Sequence, residues 1–346
     1  MKKKALLIIP EMYSIKNVVS EGLEGLGYNV IHIDYRKKIN NRNRYLRKLH
    51  TILSTAQNRF AKLQGDVNEY YKKTYNNLNP DLVIIYNDEL ILPNTLYYFK
   101  QKSNVIFLLG DNPLTLNPPN IYNIQILFQA DIVVCADSSW KKQLERIGLN
   151  NIIYDYLAYS SNVFSSDVNT PPNKRDNDIL FVGRTYAGSW GFKRCLFLDQ
   201  FTDLNIDIYG SGAHWLKWLD YFPKIGKKLI YNKSKLSFEK FKQLLNSYKV
   251  FPVDANPGLI NGIHLRVFEC ISAGILPLIE YTKNIDLVFN GVPLPVIHNF
   301  GNIKELTSEY LNNDEKRIKI LTNAKEYLDE NYSPRVVIKR ILDKIK

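Results

Sequence analysis

Residues 248–280 read YKVFPVDANPGLINGIHLRVFECISAGILPLIE, which is the pattern of a strand, a loop, a helix and a second strand. The apolar run at 248–254 predicts a buried strand, and the proline, glycine and asparagine residues of 255–262 predict a loop. A short helix is expected to start near His264, and the apolar run at 275–279 predicts the next strand. This alternation is typical of a parallel sheet, so the stretch indicates an α/β fold.

The helix in this stretch carries an arginine and a glutamate in its first turns. Leu265, Phe268 and Ile271 recur at helical spacing and should pack on the sheet, which leaves Arg266 and Glu269 on another face. In open α/β sheets, ligands bind at the carboxyl ends of the strands, where the N-termini of helices attract anions. We therefore expect an anion site here, with a carboxylate suited to the two hydroxyls of a ribose. The alternative is a solvated ion pair and nothing more.

The rest of the chain repeats the alternation of apolar runs and helical segments. Residues 159–178 interrupt it, because they lack periodic apolar positions and contain Pro171-Pro172. The chain of 346 residues is long enough for two domains, so we predict an α/β fold with two Rossmann-like, doubly wound domains. The predicted boundaries are 1–160 for the N-terminal domain with a basic helical insertion near 36–77, 161–178 for a linker, 179–332 for the C-terminal domain and 333–346 for a terminal helix.

The second half of the chain resembles a known enzyme family. The similarity lies in Arg266-Val267-Phe268-Glu269 and the following Ser272-Ala273-Gly274, which resemble the donor-nucleotide segment of the CgeB-like, group-1-type glycosyltransferases of GT-B fold. The resemblance implies that Glu269 holds the ribose of a sugar nucleotide. It also implies that the two domains face each other across a cleft, that the first domain binds the acceptor, and that the terminal helix crosses back to the first domain.

A further part of the resemblance lies at the start of the C-terminal domain. Gly183-Arg184, the loop TYAGSWGF and Lys193 are similar to a family loop, which implies that Arg184 and Lys193 neutralise the donor diphosphate. A flexible turn with a lysine at a helix start is the alternative. The turn Gly210-Ser211-Gly212 also resembles the family, and its glycines let the backbone approach a ligand. The predicted donor site comprises Gly183, Arg184, Lys193, Gly210, Gly212, Gly262, His264, Arg266 and Glu269.

Glycosyl transfer needs cations for the leaving diphosphate and, in an inverting enzyme, a base for the acceptor hydroxyl. We choose Asp111 as the base, because the Gly-Asp-Asn-Pro turn after a predicted strand points its carboxylate into the predicted cleft. Glu89 and Glu11 are the runners-up, and a turn or capping role for Asp111 is the alternative. Asn261 stands where many retaining enzymes of this fold carry the first glutamate of a pair, so the stereochemical outcome stays open.

The sequence offers no cofactor or metal motif. The five histidines lack ligand spacing, and the triplet Asp176-Asn177-Asp178 precedes a strand, so it reads as linker. The first loop, at 10–14, has no glycine, and Trp215 replaces the third glycine of a dinucleotide fingerprint, which argues against NAD. The three cysteines form no CxxC pair, which favours a reduced, cytoplasmic compartment. We expect no cofactor and no required metal, with a nucleotide-sugar as substrate.

The formal net charge of +12 is concentrated in part in segment 36–77, where lysine and arginine alternate with tyrosine. Such a surface attracts phosphates, anionic lipid head groups or other polyanions. We expect this segment to meet an anionic membrane on its inner face, or a glycan or lipid-linked acceptor, and we expect no nucleic acid. A solvated helical hairpin is the alternative.

Three functions stay open from the sequence. The first is a glycosyltransferase that moves a sugar from a nucleotide-sugar to a glycan, glycolipid or other cell-surface acceptor, as in polysaccharide biosynthesis of the cell envelope. The second is an NAD-linked or epimerase-type sugar-modifying enzyme, which the incomplete glycine pattern argues against. The third is a non-catalytic binding protein for polyanions or glycans, which the basic segment permits.

Overall fold

The computed structural model describes residues 2–11, 14–34, 61–86, 90–114, 123–164, 171–231, 236–256 and 258–345. The chain forms two compact units, one of residues 1–158 with 332–346 and the other of residues 159–331. In the part that is described, each unit contains one six-stranded parallel sheet with helices between successive strands.

The first unit alternates strands and helices from its start. Its strands are β1 (Lys4–Ile8), β2 (Asn29–Ile33), β3 (Leu82–Tyr86), β4 (Asn104–Leu109), β5 (Ile132–Cys135) and β6 (Ile152–Tyr154). The helices that accompany them are α1 (Ile15–Gly25), α2 (Ala61–Leu78), α3 (Pro93–Lys100), α4 (Asn123–Gln129) and α5 (Ser138–Arg146). The strand order is β2-β1-β3-β4-β5-β6. Leu7, Ile84 and Ile106 lie in the core of this unit, as expected for apolar parallel strands covered on both faces.

The second unit is built in the same way. Its strands are β7 (Asn177–Val182), β8 (Ile206–Gly210), β9 (Leu229–Tyr231), β10 (Tyr248–Val253), β11 (Leu276–Glu280) and β12 (Val296–Ile297). Its helices are α6 (Ser189–Asp199), α7 (Gly212–Leu219), α8 (Pro223–Lys228), α9 (Phe238–Leu245), α10 (Arg266–Ala273), α11 (Asn284–Val288), α12 (Ile303–Asn312) and α13 (Asp314–Tyr332). The strand order is β12-β11-β10-β7-β8-β9, with β10 and β11 parallel neighbours. The predicted α/β fold with two doubly wound sheets is therefore confirmed.

The last helix, α14 (Pro334–Leu342), belongs to the first unit. Its Val337, Ile338 and Ile341 are buried in the same core as β1 and α1. A Cβ on Gly22 of α1 would lie 2.5 Å from the carbonyl oxygen of Pro334, so only glycine permits this close approach of the two helices. The chain thus begins and ends in one core.

The segment predicted as a linker lies in the second unit, and β7 already begins at Asn177. Arg175 explains this placement, because its buried guanidinium donates to the carbonyl oxygens of Tyr248 at 2.8 Å and Ala273 at 2.6 Å. Burial, followed by the nearby Arg317, lowers the pKa of Arg175 to about 10. Arg317 adds a hydrogen bond to the carbonyl oxygen of Pro172 at 3.3 Å, so the described residues just before β7 are attached to the second unit by side chains.

Helix α2 coincides with the second part of the predicted basic insertion, and residues 36–60 lie outside the described residues. The sequence interpretation missed β9, α7 and α8, which follow one another after the glycine turn at 210–212. Among the described helices, none combines the length and the apolar character needed to cross a lipid bilayer.

Candidate functional site

The predicted donor residues cluster at one edge of the second sheet. Strands β11, β10 and β7 are neighbours and run parallel, so their carboxyl ends lie side by side. We call these three ends, with the loops that follow them, the second-sheet edge. The loop after β7 leads into α6, and the loop after β10 leads into α10.

A buried ion pair joins two parts of the second-sheet edge. The guanidinium of Arg194 in α6 donates to both carboxylate oxygens of Asp254, at 2.8 and 2.9 Å, and both side chains are at most 7% exposed. Arg194 also donates to the carbonyl oxygen of Arg184 at 2.6 Å and lies over the ring of Tyr186. Although burial lowers the pKa of Arg194, the pairing with Asp254 outweighs it and raises that pKa. The loop after β7 is therefore attached to the end of β10.

Helix α7 holds the same loop from the other side. The indole N–H of Trp215 donates to the carbonyl oxygen of Gly183 at 3.3 Å, and that of Trp218 donates to Tyr186 at 3.3 Å. The ammonium of Lys217 donates to the carbonyl oxygen of Ala187 at 2.6 Å. Three side-chain donors of α7 thus satisfy the carbonyl oxygens of residues 183, 186 and 187 and fix the conformation of the loop.

The glycine turn at 210–212 has a packing role that the sequence did not reveal. A Cβ on Gly210 would lie 2.3 Å from the indole nitrogen of Trp215 and 2.6 Å from the Gly183 carbonyl oxygen. The residue must therefore be glycine for α7 to approach β7. Gly212 is the first residue of α7, directly after the N-cap residue Ser211.

Lys193 forms an ion pair with Glu280, the last residue of β11. The Lys193 ammonium also lies over the ring of Trp190, 5.2 Å from its centroid. The same Glu280 oxygen, Oε2, accepts the backbone N–H of Ala255 at 2.8 Å. Arg184, by contrast, has an exposed side chain that bonds to no described residue. One predicted phosphate-binding cation is thus held in place, and the other is available to a ligand.

Arg266 and Glu269 form an ion pair in the first turns of α10, and the pair is more buried than the solvated surface pair named as the alternative. The Glu269 side chain is 5% exposed, and the Arg266 guanidinium lies 4.2 Å from the ring centroid of Phe241. The helix is buried from Val267 to Ala273, and Gly274 ends it in the left-handed region at φ 71°. Because burying a charge is costly, this burial favours a functional role for the carboxylate over a chance surface ion pair.

His264 precedes α10 and is electrically neutral. Burial, then the nearby Arg266 and Arg194, lowers the pKa of His264 to about 3. Its Nδ1 atom accepts the backbone N–H of Arg266 at 3.0 Å, so the ring proton is on Nε2. No described residue bonds to Nε2, which leaves one N–H donor at the second-sheet edge beside Gly262, a buried residue of the same loop.

The predicted base candidates all belong to the first unit. Asp111 is exposed and follows β4, while its neighbour Asn112 is buried and donates to Gln143 at 2.8 Å. Glu11 is 42% exposed and lies 3.7 Å from Nδ1 of His32. Glu89 lies outside the described residues. We call the ends of β1 and β4, with the residues that follow them, the first-sheet edge.

The structure gives no metal role to the Asp-Asn-Asp triplet among the described residues. Asp178, of the Asp-Asn-Asp triplet, lies 3.2 Å from the ammonium of Lys249 and accepts from Asn205 at 3.3 Å. Within the described ranges, no group of three or more histidine, cysteine, aspartate or glutamate side chains is arranged to hold a metal ion. The three cysteines are buried and form no disulfide.

Asp254, Arg194 and Glu280 are site residues that sequence reasoning did not select. Asp254 and Glu280 each end an apolar strand, and a charged residue in that position of a parallel sheet is a usable signal. Arg194 directly follows the predicted Lys193, but the sequence gives no sign that it pairs with a residue on another strand.

Comparison with known proteins adds a sequence family. The sequence profile of a family described as "Glycosyl transferase-like" matches residues 193–343, which is less than half of the chain. This segment contains Lys193 and the complete stretch from β10 to β11. The match supports a transferase enzyme and agrees with the predicted resemblance at the level of glycosyltransferases; the CgeB-like subgroup stays a prediction. Among curated proteins, none matches this chain in sequence.

Several solved structures share the fold over nearly the whole chain. Sucrose-phosphate synthase from Thermosynechococcus elongatus has a TM-score of 0.65 at 10% identity, covering 99% of both chains. HepE from Anabaena, solved with UDP and glucose, has a TM-score of 0.64 at 12% identity, covering 99% of this chain and 98% of its own. A UDP-N-acetylglucosamine 2-epimerase from Listeria monocytogenes, so described provisionally, has a TM-score of 0.59 at 15% identity, covering 100% and 96%. The GT-B type of architecture is thus shown. The fold alone does not distinguish a glycosyltransferase from a sugar-nucleotide epimerase.

Proposed function

We propose that the protein transfers a glycosyl group from a nucleotide-sugar to a glycan, glycolipid or other cell-surface acceptor. The observation that carries the proposal is the buried Arg266–Glu269 pair at the start of α10, inside the segment that matches a glycosyltransferase family. A carboxylate in this position accepts two ribose hydroxyls, and the arginine beside it holds its orientation. UDP is the first nucleotide to test, because HepE of Anabaena, with a similar fold, was solved with UDP and glucose.

The leaving diphosphate has donors of several kinds within the second-sheet edge. Arg184 has an exposed guanidinium, Lys193 carries an ammonium, and His264 offers its Nε2–H. The N-terminus of α10 adds backbone N–H groups and a helix dipole. These groups stabilise negative charge that develops on the diphosphate as its bond to the anomeric carbon breaks. We propose that they take the part that a metal ion plays elsewhere, so that the reaction needs neither metal nor cofactor.

The acceptor is activated from the first unit in this proposal. Asp111 accepts the proton of the acceptor hydroxyl, whose oxygen attacks the anomeric carbon while the nucleoside diphosphate departs. Glu11 and Glu89 are the other candidates for the base. The high net positive charge supports an acceptor or membrane surface of negative charge, with the enzyme in the cytoplasm on the inner face of the membrane.

The test of this function is a thermal-shift series with UDP, GDP, CDP, ADP, dTDP, CMP and NAD. A ligand at a hundredfold excess over its Kd adds roughly 2.7 kcal/mol of stability, which raises Tm by a few degrees. We expect one nucleoside diphosphate, or CMP, to stabilise the wild type but not the Glu269→Gln variant. The matched control is Glu326→Gln, an exposed glutamate of α13, which should respond as the wild type does. Stabilisation by NAD alone, or by polyanions alone, would overturn the proposal.

A sugar-nucleotide epimerase is the second candidate, because the Listeria protein described in that way shares the fold over the whole chain. Nuclear magnetic resonance separates the two functions with UDP-N-acetylglucosamine as the probe. An epimerase changes the sugar while UDP stays attached, whereas a transferase releases UDP when an acceptor is present. Conversion of the sugar without UDP release would replace our first proposal by the second.

A further inference from the structure

The carboxylate of Glu280 is held at the second-sheet edge by only one of its oxygens. Oε2 accepts the backbone N–H of Ala255 and pairs with the ammonium of Lys193. No described residue bonds to Oε1. The side chain is 17% exposed, so the carboxylate is neither deeply buried nor fully solvated. A ligand that brings a hydrogen-bond donor would complete its coordination.

Glu280 is adjacent to the loop that precedes α10. Ala255, which it binds, is the first residue after Asp254 at the end of β10. The far end of this loop is attached as well, because the backbone N–H of Asn284 donates to the carbonyl oxygen of Asn261 at 3.0 Å. The segment after β11 therefore runs beside the loop, which brings Glu280 to the same edge as the Arg266–Glu269 pair.

The other carboxylates of this edge already have strong partners. Asp254 is the only acid in the loop at 254–265, and Arg194 occupies both of its oxygens. Glu269 is paired with Arg266. Glu280 differs from Asp254 in that only one of its two oxygens is bonded to described residues.

A second polar atom of the same segment also lacks a protein partner. The Thr282 side-chain oxygen is buried, at 8% exposure for the residue, and makes no hydrogen bond to any described residue. Buried hydroxyl groups are usually hydrogen-bonded, so an unbonded one beside a candidate site favours a ligand contact. Two polar atoms after β11, Oε1 of Glu280 and the hydroxyl oxygen of Thr282, thus have no hydrogen-bond partner among the described residues.

The chemistry of these groups selects the part of the donor that they fit. A carboxylate repels phosphate and accepts hydrogen bonds from hydroxyl groups. Lys193, which pairs with Oε2 of Glu280, carries the charge that attracts the diphosphate. We propose that Glu280 binds a hydroxyl group of the transferred sugar through Oε1, with Thr282 beside it, and that it thereby determines which sugar is accepted. This inference rests on the proposed glycosyltransferase function.

The test compares the Kd of a nucleoside diphosphate with that of its sugar conjugate, by isothermal titration calorimetry. The probes are UDP with UDP-glucose, UDP-galactose and UDP-N-acetylglucosamine, and GDP with GDP-mannose. Glu280→Gln should weaken binding of the preferred sugar nucleotide by about tenfold or more, since hydrogen bonds to a charged group are strong. Affinity for the bare diphosphate should change by less than about twofold, because the glutamine carbonyl oxygen can still accept both the Ala255 N–H and the Lys193 ammonium.

Two further variants separate recognition from a structural role. Glu309→Gln is the matched control, because Glu309 also pairs with a lysine, Lys316, but lies on α12. It should leave both affinities unchanged. Thr282→Val should weaken the sugar nucleotide only, and by less than Glu280→Gln does.

The outcomes are distinguishable from failure of the proposed function. Equal weakening of diphosphate and sugar nucleotide by Glu280→Gln would show that Glu280 only anchors Lys193 and the loop, and would overturn this inference while the glycosyltransferase proposal stands. Absence of binding by every nucleotide to the wild type would overturn both. A Glu280→Gln protein that accepts the disfavoured sugars as well as the favoured one supports the inference directly.

Discussion

The carboxylates at the edges of the two sheets have different surroundings. At the second-sheet edge each one has a cation within its own unit, in the pairs Arg194–Asp254, Arg266–Glu269 and Lys193–Glu280. At the first-sheet edge, Asp111 is exposed and Glu11 is 42% exposed. The Arg194–Asp254 pair is buried and the other two are partly buried. Paired charges of this kind keep their positions before a ligand arrives, so little reorganisation accompanies binding. In the proposed mechanism, donor binding would therefore use groups that are fixed before the ligand arrives, whereas proton transfer would use more exposed side chains.

The largest predicted effect is on kcat and comes from Asp111, the exposed carboxylate of the first-sheet edge. Asp111→Asn removes the proposed base and should lower kcat by about 10²–10⁴-fold, the usual contribution of a positioned base. Affinity for the donor nucleotide should not change, because the residue lies in the first unit and the donor residues lie in the second. The measurement is the initial rate of nucleoside diphosphate release, with calorimetry for affinity.

Glu11→Gln is the comparison variant at the same edge and should retain most of the activity. The reverse pattern, with Asp111→Asn active and Glu11→Gln inactive, would identify Glu11 instead of Asp111 as the base. Full activity of both variants would contradict the division of roles between the two edges.

The next largest effect should be on stability at the second-sheet edge. Arg194→Met leaves the Asp254 carboxylate buried without its cation, which should lower the free energy of unfolding by about 3–5 kcal/mol in urea denaturation. The control is Lys224→Met, which removes an exposed pair with Asp203 and should change stability little. Adding Asp254→Asn to Arg194→Met should restore part of the loss. A loss no larger than that of the control would show that this edge is not fixed by its charges.

Sequence distance explains which of these pairs could be predicted. Arg266 and Glu269 are neighbours on one helical face, so their pairing follows from the period of the helix. Arg194 and Lys193 lie on α6, and their partners are 60 and 87 residues away, at the carboxyl ends of β10 and β11. Their pairing depends on strand order, which alternating strands and helices do not specify. The fold class, in contrast, follows from that alternation alone.

Gly210 illustrates a further limit of sequence reasoning. The glycine pattern correctly marks a place of close approach, but the approaching group is the Trp215 indole of the same protein. The segment after Gly210 was considered only for its glycine pattern, so α7 and its role were missed. A sequence shows that space is needed at a glycine, while only the packed structure shows what occupies the space.

The smallest of the predicted effects concerns His264 and depends on pH. Its pKa is about 3 in the folded protein against an ordinary value of 6.5. Between these two values the unfolded chain binds a proton that the folded chain does not, so this group's contribution to stability is complete above pH 6.5 and is lost as pH falls toward 3. His264→Asn removes the titration, while the asparagine oxygen can still accept the Arg266 backbone N–H.

The stability advantage of wild type over His264→Asn should therefore shrink as pH is lowered from 7 to 4, measured by urea denaturation at several pH values. His214→Asn, at an exposed histidine of α7, is the control for general effects of removing an imidazole. A constant difference between wild type and His264→Asn across this range would mean that the histidine is solvated and charged in acid. In that case His264 would not be one of the fixed groups of the second-sheet edge, and it would resemble the exposed carboxylates of the first-sheet edge instead.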